Sequence, residues 1–489
     1  MSLDVRAPTL APSGGPPDRR PTARSPSVPV RFLTVAAPAS LALALGLWGI
    51  RRQNTMWGDE AVTYRLAQRE PTQLWETVQQ VDLVHALYYV VMHVVFDLFG
   101  AGLLSLRLPS VLAMAAAAGG VGLLGLRLAG PRAGVAAGLV FALLPQVQKY
   151  AQEGRSYAMV CALIAWATYV LVVNLVRRDR WRWTVYGFVM LLACLLHEFA
   201  VLALGAHGAT LIVSRPPKAV LRAWSVTAAV VVAGLLPLVI VSTGQSEQVS
   251  WISGPVRPYP LLVAVVIGLA CTRAPLRSEG SVRLAALAVP LLVLPGALLL
   301  VVSLVRPLFV DRYVLFSDIG IALLLGACLE CVHRLPRYSW TVYAALVAAL
   351  IALVPLSSSL RTPHSRGNDA TAIAAAVHME GRPGDGLIYL SGQQRMLTAA
   401  YPDDTRFLVD IALARDPVTS STLAGVEHPA SEIAARMKNF DRIVVVRAGG
   451  AHASVDPREE AKEDTLRRHF REDRASEVNG ARVAVYIRN

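Results

Sequence analysis

The chain has 489 residues, of which 54% are hydrophobic and only 17% are charged, and its mean hydropathy is +0.47. A soluble protein carries about 25% charged residues, so this composition and the repeated apolar runs exclude an ordinary soluble protein and predict a multi-pass membrane protein. The net charge of +13 belongs to residues 1–358, with 29 Lys and Arg against 16 Asp and Glu, whereas residues 359–489 carry 18 of each. The neutral C-terminal part offers no clustered basic face, so we expect no nucleic-acid partner.

The N-terminal segment, residues 1–29, is rich in Pro, Ser, Ala and Arg and has almost no large apolar residues, which predicts a disordered tail. The first apolar run, Phe32–Ile50, is longer than a signal-peptide core and has no convincing small-residue cleavage site before Arg51, so we expect a membrane span. Positive residues before this run place the N-terminus in the cytoplasm.

An outer loop is predicted from Arg51 to Arg107. Within it, the apolar stretch Leu87–Phe99 is short and is broken by His93 and Asp97, which predicts a helix at the membrane surface. Ten further spans are predicted at Leu108–Leu126, Ala133–Val147, Ala158–Val176, Trp183–Leu196, Phe199–Val213, Trp224–Thr243, Leu261–Cys271, Leu284–Val305, Tyr313–Val332 and Ser339–Leu356. With the first, they make about eleven transmembrane helices.

The long apolar run Trp183–Val213 is interrupted by His197-Glu198 and by His207. As one helix it would be roughly 46 Å long, against a hydrocarbon core of about 30 Å. One span here would also turn the later Arg- and Lys-rich loops outward. The charge bias therefore favours two short spans with His197-Glu198 at an outer turn.

The composition changes after Leu356. Short apolar segments at Leu387–Leu390, Phe407–Ile411, Ile443–Val446 and Val483–Ile487 predict buried strands, and helical stretches such as Ser431–Phe440 and Glu459–Phe470 lie between them. The sequence thus predicts a transmembrane catalytic domain at 30–358 and a small α/β domain at 359–489, outside the cytoplasm.

Polar residues from several segments are predicted to meet at the outer face of the membrane. They are Asp59, Glu60, Asp82, His85, Lys149, Gln152, Glu153, Arg155, His197, Glu198, Arg306, Asp311 and Arg312. Each alone is explained by an ordinary loop position, but ionisable groups at membrane depth are costly and usually functional. Carboxylates and imidazoles such as those of Asp59, Glu60 and His85 also make a bound divalent metal cation possible, and we expect no other cofactor.

Four motifs in this order resemble the GT-C glycosyltransferases, in the bacterial branch similar to protein O-mannosyltransferases and aminoarabinose transferases. They are Trp57-Gly58-Asp59-Glu60, Asp82 ahead of Leu87-Tyr88-Tyr89, Gln152-Glu153-Gly154-Arg155-Ser156-Tyr157, and Asp311-Arg312-Tyr313. The resemblance covers residues 30 to 350. It implies a polyprenyl-phosphate-linked sugar donor and transfer on the outer face. Where many relatives have His-Pro-Pro, this chain has Val84-His85-Ala86.

The chemistry of such a transfer needs a base for the acceptor's proton, while the leaving phosphate is already a stable anion. We expect Asp59 to be the base, with Glu60 as its catalytic neighbour, and the anomeric centre to invert. Arg155 and Arg312 are expected at the donor phosphate because arginine fits phosphate oxygens in a bidentate way. The substrate-binding set is expected to be Asp82, His85, Tyr88, Lys149, Glu153, Arg155, Tyr157, His197, Arg306, Arg312 and Tyr313.

Two other functions are open from the sequence, namely a multi-pass transporter or lipid-linked-sugar flippase, and a scaffold that presents the C-terminal domain. A transporter tends to show internal repeats and polar groups at the midplane, and neither is evident here. The sugar is equally open between mannose and a pentose such as arabinofuranose, and the acceptor between protein, lipid and polysaccharide. The Ala-, Arg- and Val-rich composition is typical of a GC-rich bacterium such as an actinobacterium.

Overall fold

The computed structural model describes residues 27–177, 179–245, 259–273, 282–334, 339–449 and 456–489. The predicted disordered tail lies outside the described residues up to position 26, and the first helix begins at Val28. The helices of the apolar part are α1 (Val28–Leu47), α2 (Gly58–Leu66), α3 (Pro71–Gln80), α4 (Ala86–Phe99), α5 (Leu103–Ala129), α6 (Pro131–Leu143), α7 (Pro145–Ala151), α8 (Tyr157–Arg177), α9 (Arg180–Leu196), α10 (Leu202–Ser214), α11 (Lys218–Thr243), α12 (Tyr259–Cys271), α13 (Leu284–Ser303), α14 (Asp318–His333) and α15 (Ser339–Ser359).

Each of the eleven predicted spans overlaps a helix, but the predicted Ala133–Val147 crosses a break at Leu144, where α6 ends and α7 follows. Six helical segments of the described residues are long and apolar enough to cross a membrane: Val28–Asn54, Leu103–Ala129, Tyr157–Val176, Lys218–Thr243, Leu284–Ser303 and Asp311–His333. The other predicted spans fall on shorter apolar helices. Residues such as Val230, Ile240 and Val266 on α11 and α12 are exposed, as expected for side chains that face lipid. The chain is a multi-pass membrane protein, as the composition predicts.

The apolar run Trp183–Val213 folds back on itself near its middle. Helix α9 ends at Leu196, His197 is extended, and a 3₁₀ turn at Glu198–Val201 leads into α10. Tyr186 Oη is hydrogen-bonded to His207 Nδ1 at 2.8 Å. One straight helix would hold these two residues about 32 Å apart, so the predicted pair of short helices is confirmed.

Helix α5 is the centre of the helical packing and contacts α1, α6 and α8. Glycines permit its close approach to α6, since a Cβ added to Gly125 would lie 2.7 Å from Gly134 Cα. A Cβ on Gly122 would lie 2.3 Å from the Thr34 carbonyl oxygen of α1. Small residues at such crossings let membrane helices pack by van der Waals contact, and this packing holds α1 and α6 closely against α5.

The C-terminal part is a mixed sheet with helices, as predicted. Its elements are α16 (Ala370–Glu380), β1 (Gly386–Tyr389), α17 (Gly392–Thr398), β2 (Val409–Asp410), β3 (Leu413–Arg415), β4 (Val426–Glu427), α18 (Ala430–Met437), β5 (Arg442–Ala448), α19 (Pro457–His469), β6 (Phe470–Val478) and β7 (Ala481–Arg488). The five-stranded sheet has the order β2-β1-β5-β7-β6, with β1 parallel to β2 and β5, and with β7 antiparallel to β5 and β6. Strands β3 and β4 form a separate antiparallel pair.

Three of the four predicted strands are found close to their predicted bounds, but β2 is shorter than the predicted Phe407–Ile411. Strand β6 is absent from the sequence analysis because most of its residues are charged and exposed, as in Arg471-Glu472-Asp473-Arg474. It lies at the edge of the sheet, where charged side chains are common because they block pairing with another chain.

Candidate active site

Glu60 is the buried member of the acidic pair at the start of α2. Arg107 donates from Nε and Nη2 to the two carboxylate oxygens at 2.7 Å each, and the Gly154 amide donates to Oε1 at 3.1 Å. Arg52 adds a second cation at 3.4 Å. Burial by itself would raise the pKa of Glu60, but the charges of Arg107 and Arg52 lower it to about 2. Both oxygens are fully engaged, so this arrangement favours an anchoring role over the catalytic role expected from the sequence.

Asp59 is the accessible member of the pair, with 26% of its side chain exposed. Its Oδ1 lies 3.8 Å from Arg155 Nη2 and its Oδ2 lies 3.3 Å from Arg312 Nη2. Successive residues of a helix point about 100° apart, which is why its neighbour faces the interior while Asp59 faces outward. The first turn of a helix also favours negative charge. Asp59 therefore places its carboxylate between two guanidinium groups.

Arg155 is held from behind by a second acidic group. Asp82 accepts hydrogen bonds from Tyr89 Oη and from His85 Nδ1, the latter at 2.8 Å, and its Oδ2 lies 3.7 Å from Arg155 Nη1. Arg155 Nη1 in turn donates to Tyr89 Oη at 2.8 Å. Burial opposes ionisation of Asp82, but His85 and then Arg155 hold the pKa of its carboxyl well below the usual range. Tyr88, named from the sequence, is completely buried, and its neighbour Tyr89 makes these contacts instead.

The segment 149–155 brings a cation and a second buried glutamate to the same end of the bundle. Glu153 is 1% exposed, its carboxylate accepts no hydrogen bond from the described residues, and Arg366 Nε lies 3.4 Å from Oε2. Burial raises the pKa of Glu153 in spite of Arg366 and Arg312. The Lys149 ammonium has no ion pair with the described residues, and burial lowers its pKa. Lys149 is thus a cation suited to an incoming anion.

Aromatic rings pack around Arg312 on the opposite side. The ring of His197 lies 4.6 Å from that of Tyr313 and 5.5 Å from that of Tyr157. Arg312 Nε donates to Tyr157 Oη at 3.1 Å. Burial, together with the nearby His85 and Arg312, holds the pKa of His197 well below its usual value, so its imidazole is neutral. These rings restrict the directions in which the Arg312 guanidinium can point.

A cavity of about 280 Å³ opens beside this aromatic cluster. Two of its polar wall atoms, His85 Nε2 and His197 Nδ1, are buried and have no hydrogen-bond partner among the described residues. The exposed Arg306 also lines it, and much of the remaining wall is apolar, including Phe199 and Leu235. The cavity combines an apolar wall with a few polar groups, which is typical of a ligand site.

The structure therefore brings most of the predicted site residues to one end of the helical part. The metal prediction is not supported by this arrangement. Glu60 is enclosed by arginines, His85 Nδ1 is bonded to Asp82, and the described residues contain no group of three or more His, Cys, Asp or Glu suited to a metal ion. Asp59, Glu60 and His85 do not form a ligand set.

Sequence reasoning missed several residues that support the site. Arg107 is fully buried although it was predicted as the last residue of the outer loop. One indication of this role is present in the sequence, namely that Arg107 directly precedes one predicted span while the acidic pair follows the previous one. Arg366 donates to the Lys149 carbonyl oxygen at 2.8 Å, and Asn368 accepts from the Gly58 amide at 2.7 Å. Neither Arg366 nor Asn368 lies in a recognisable motif, because each contacts a segment that is more than 200 residues away in the sequence.

Two crystal structures share this fold. One is ArnT from Cupriavidus metallidurans bound to undecaprenyl phosphate, with a TM-score of 0.59 at 14% identity, covering 93% of this chain and 98% of that chain. The other is the same protein in the apo state, with a TM-score of 0.58 at 14% identity, covering 92% and 97%. No protein-family model and no protein of curated function matches the chain.

This similarity shows that the chain has the fold of ArnT, the fold that the resemblance of the sequence motifs implies. The sequence resemblance ends near residue 350, but 93% of the chain is covered, so the shared fold extends into the C-terminal part.

Proposed function

We propose that this protein is a membrane glycosyltransferase that moves a sugar from a polyprenyl-phosphate donor to a hydroxyl group on the extracytoplasmic side. The observation that carries the proposal is the contrast within the acidic pair. Asp59 is accessible and lies 3.8 Å from the guanidinium group of Arg155 and 3.3 Å from that of Arg312. Glu60 is fully buried, and its carboxylate is paired with arginines. The undecaprenyl phosphate bound to the similar ArnT supports a polyprenyl phosphate as the carrier.

The proposed reaction is a single displacement. The acceptor hydroxyl gives its proton to Asp59 while its oxygen attacks the anomeric carbon of the sugar. The bond between that carbon and the phosphate oxygen breaks, and its electron pair leaves with the polyprenyl phosphate. Arg155 and Arg312 stabilise the charge on the leaving phosphate, with Lys149 as a further cation. Attack from the side opposite the phosphate inverts the anomeric centre. Mannose and a pentose such as arabinofuranose both satisfy this scheme.

The burial of the two arginines strengthens the case for an anion site. Arg155 and Arg312 are 7% and 12% exposed, and their charges are compensated by Asp59 and Asp82. A phosphate that enters between them gains two guanidinium partners already held in place, so little ordering remains to be done on binding. Arginine is favoured over lysine here because its planar group can bind two phosphate oxygens at once.

The test is the turnover of Asp59→Asn in detergent at saturating lipid-linked donor, with release of polyprenyl phosphate and sugar transfer both measured. The substitution keeps the size of the side chain but removes the proton acceptor, so we expect turnover to fall by about 10²–10⁴-fold. Asp97→Asn, which changes an exposed carboxylate on α4, is the matched control and keeps wild-type turnover. Size-exclusion chromatography checks that both variants stay folded.

Three outcomes contradict the proposal. Near wild-type turnover of Asp59→Asn would show that another group takes the proton. A product with retained anomeric configuration would show that the reaction does not proceed by one displacement. A wild-type protein that moves lipid-linked sugars across vesicles without releasing polyprenyl phosphate would instead identify a flippase.

A further inference from the structure

The start of helix α2 is held by a loop from the C-terminal part of the chain. Asn368 Oδ1 accepts a hydrogen bond from the Gly58 amide at 2.7 Å. This amide belongs to the first turn of a helix, where backbone N–H groups have no partner within the helix. Beside it, the Met56 amide donates to Thr371 Oγ at 2.9 Å, and the Ala370 amide donates to the Met56 carbonyl oxygen at 2.8 Å. Three hydrogen bonds thus fix the residues immediately before Asp59.

The C-terminal part approaches α2 closely at position 58. A Cβ added to Gly58 would lie 2.9 Å from Leu397 Cδ2 and 3.1 Å from Asn368 Nδ2, so a side chain here would require these two side chains to move. Leu397 belongs to α17, which packs against α2. The glycine of the Trp57-Gly58-Asp59-Glu60 motif thus lies in direct contact with the C-terminal part.

Two other segments of the chain anchor this loop, residues 366–371, which we call the clamp loop. The turn between β6 and β7 holds it, because the Asp369 amide donates to the Asn479 carbonyl oxygen at 2.9 Å and Asn479 Nδ2 donates to the Arg366 carbonyl oxygen at 3.1 Å. The segment that contains Lys149 holds it as well, because Arg366 Nη2 donates to the Lys149 carbonyl oxygen at 2.8 Å. The same short loop thus contacts the sheet and both polar segments of the site.

We propose that Asn368 is a positioning residue for Asp59 and that the clamp loop sets the first turn of α2 against Arg155 and Arg312. The proposal rests on the proposed role of Asp59 as the base. Asn368 does not reach the reacting atoms, because its amide oxygen is engaged by the Gly58 N–H. Its effect passes through one peptide unit to the Asp59 side chain, and a displacement of about 1 Å at a catalytic group can cost on the order of 100-fold in rate.

The experiment compares three variants of the full-length protein in detergent. Asn368→Ala removes the acceptor, whereas Asn368→Asp keeps an oxygen that caps a helix equally well. Asp456→Ala is the matched control, because it removes a cap of the same kind from helix α19, where Asp456 Oδ1 accepts from the Arg458 amide at 2.8 Å. Helix α19 is not part of the clamp loop.

We expect Asn368→Ala to lower kcat by about 3- to 30-fold, the range set by the loss of one helix cap, with the donor KM changed less than about twofold. Asn368→Asp restores kcat to within about twofold of wild type, and Asp456→Ala leaves kcat unchanged. A purely structural role of Asn368 would lower the thermal stability of Asn368→Ala and Asp456→Ala alike without separating their kcat values.

Amide hydrogen exchange gives a second readout that needs no turnover. The Gly58 amide loses its acceptor in Asn368→Ala, so peptides covering residues 55–66 exchange faster in that variant and not in Asp456→Ala. If the wild type transfers no sugar from any lipid-linked donor, the proposed function fails, and faster exchange still supports the clamp. If the wild type is active but Asn368→Ala keeps wild-type kcat or wild-type exchange at 55–66, the positioning role is overturned.

Discussion

Replacing Glu60 by Gln tests whether this residue anchors the site. The pKa of Glu60 is lowered from 4.5 to about 2, and this difference corresponds to about 3 kcal/mol of stability at neutral pH. Removal of one partner from a buried ion pair costs roughly 3–5 kcal/mol, which agrees with this value. Glu60 is fully buried, so solvent screening does not reduce the figure. Glu60→Gln leaves Arg107 and Arg52 without their counter-charge.

The comparison variant is Asp59→Asn, which changes the neighbouring carboxylate in the same helical turn. Asp59 is 26% exposed and lies more than 3 Å from both of its arginines, so its replacement should cost about 1 kcal/mol or less. Unfolding of the detergent-solubilised protein by SDS, followed by tryptophan fluorescence, measures the free energy of unfolding of each variant. Glu60→Gln should be the less stable variant by about 2 kcal/mol or more, and Asp59→Asn the less active variant.

The pH dependence of the free energy of unfolding gives a second test of the anchoring role of Glu60. A carboxyl whose pKa is lowered on folding contributes its full stability above its unfolded pKa of about 4.5, and loses it as the pH falls through about 2. The gap in unfolding free energy between wild type and Glu60→Gln should therefore be constant between about pH 5.5 and 8 and should shrink below about pH 4.5. A gap that is independent of pH in acid, or a Glu60→Gln variant as stable as Asp59→Asn, would refute the anchoring role.

Two further predictions concern the donor and the topology. Arg312→Ala should raise the KM for the lipid-linked donor at least tenfold. Arg312→Lys should restore only part of the donor affinity, because a point charge lacks the two-pronged geometry of a guanidinium. Unchanged donor kinetics in the Ala variant would show that Arg312 is not part of the donor site. Reporter fusions at Asp179 and Ser365 should report opposite sides of the membrane, with Ser365 outside, and the same side for both would contradict the proposed sidedness.

The membrane architecture was predictable because it depends on long apolar runs and on loop charge, which a single sequence shows directly. The break at His197-Glu198 is the clearest case. Loop charge alone required the chain to turn there, and the Tyr186–His207 hydrogen bond confirms the turn. The exposed charged strand β6 had no such signal, because hydrophobic alternation was the only guide to strands.

Much of the site chemistry was not predictable at the level of single residues. The sequence presents Asp59 and Glu60 as equivalent neighbours, and only the position of Arg107, 47 residues away, decides which of them is buried. The same difficulty applies to the adjacent Tyr88 and Tyr89. They point in different directions from their helix, and only Tyr89 contacts Asp82 and Arg155. Residues of one motif point in different directions, and the partner that distinguishes them lies elsewhere in the chain.

The arrangement of charges suggests an order of events at the proposed active site. Arg155 is tied to Asp82 and Tyr89 on the side away from Asp59, so it stays in place when a donor phosphate approaches. Arg312 is restrained by its hydrogen bond to Tyr157. The incoming phosphate then competes with Asp59 for these two guanidinium groups. When the phosphate binds these groups, the oxygens of Asp59 become available for the acceptor hydroxyl. Donor binding should therefore precede productive acceptor binding, and initial-rate kinetics with both substrates varied should show this order.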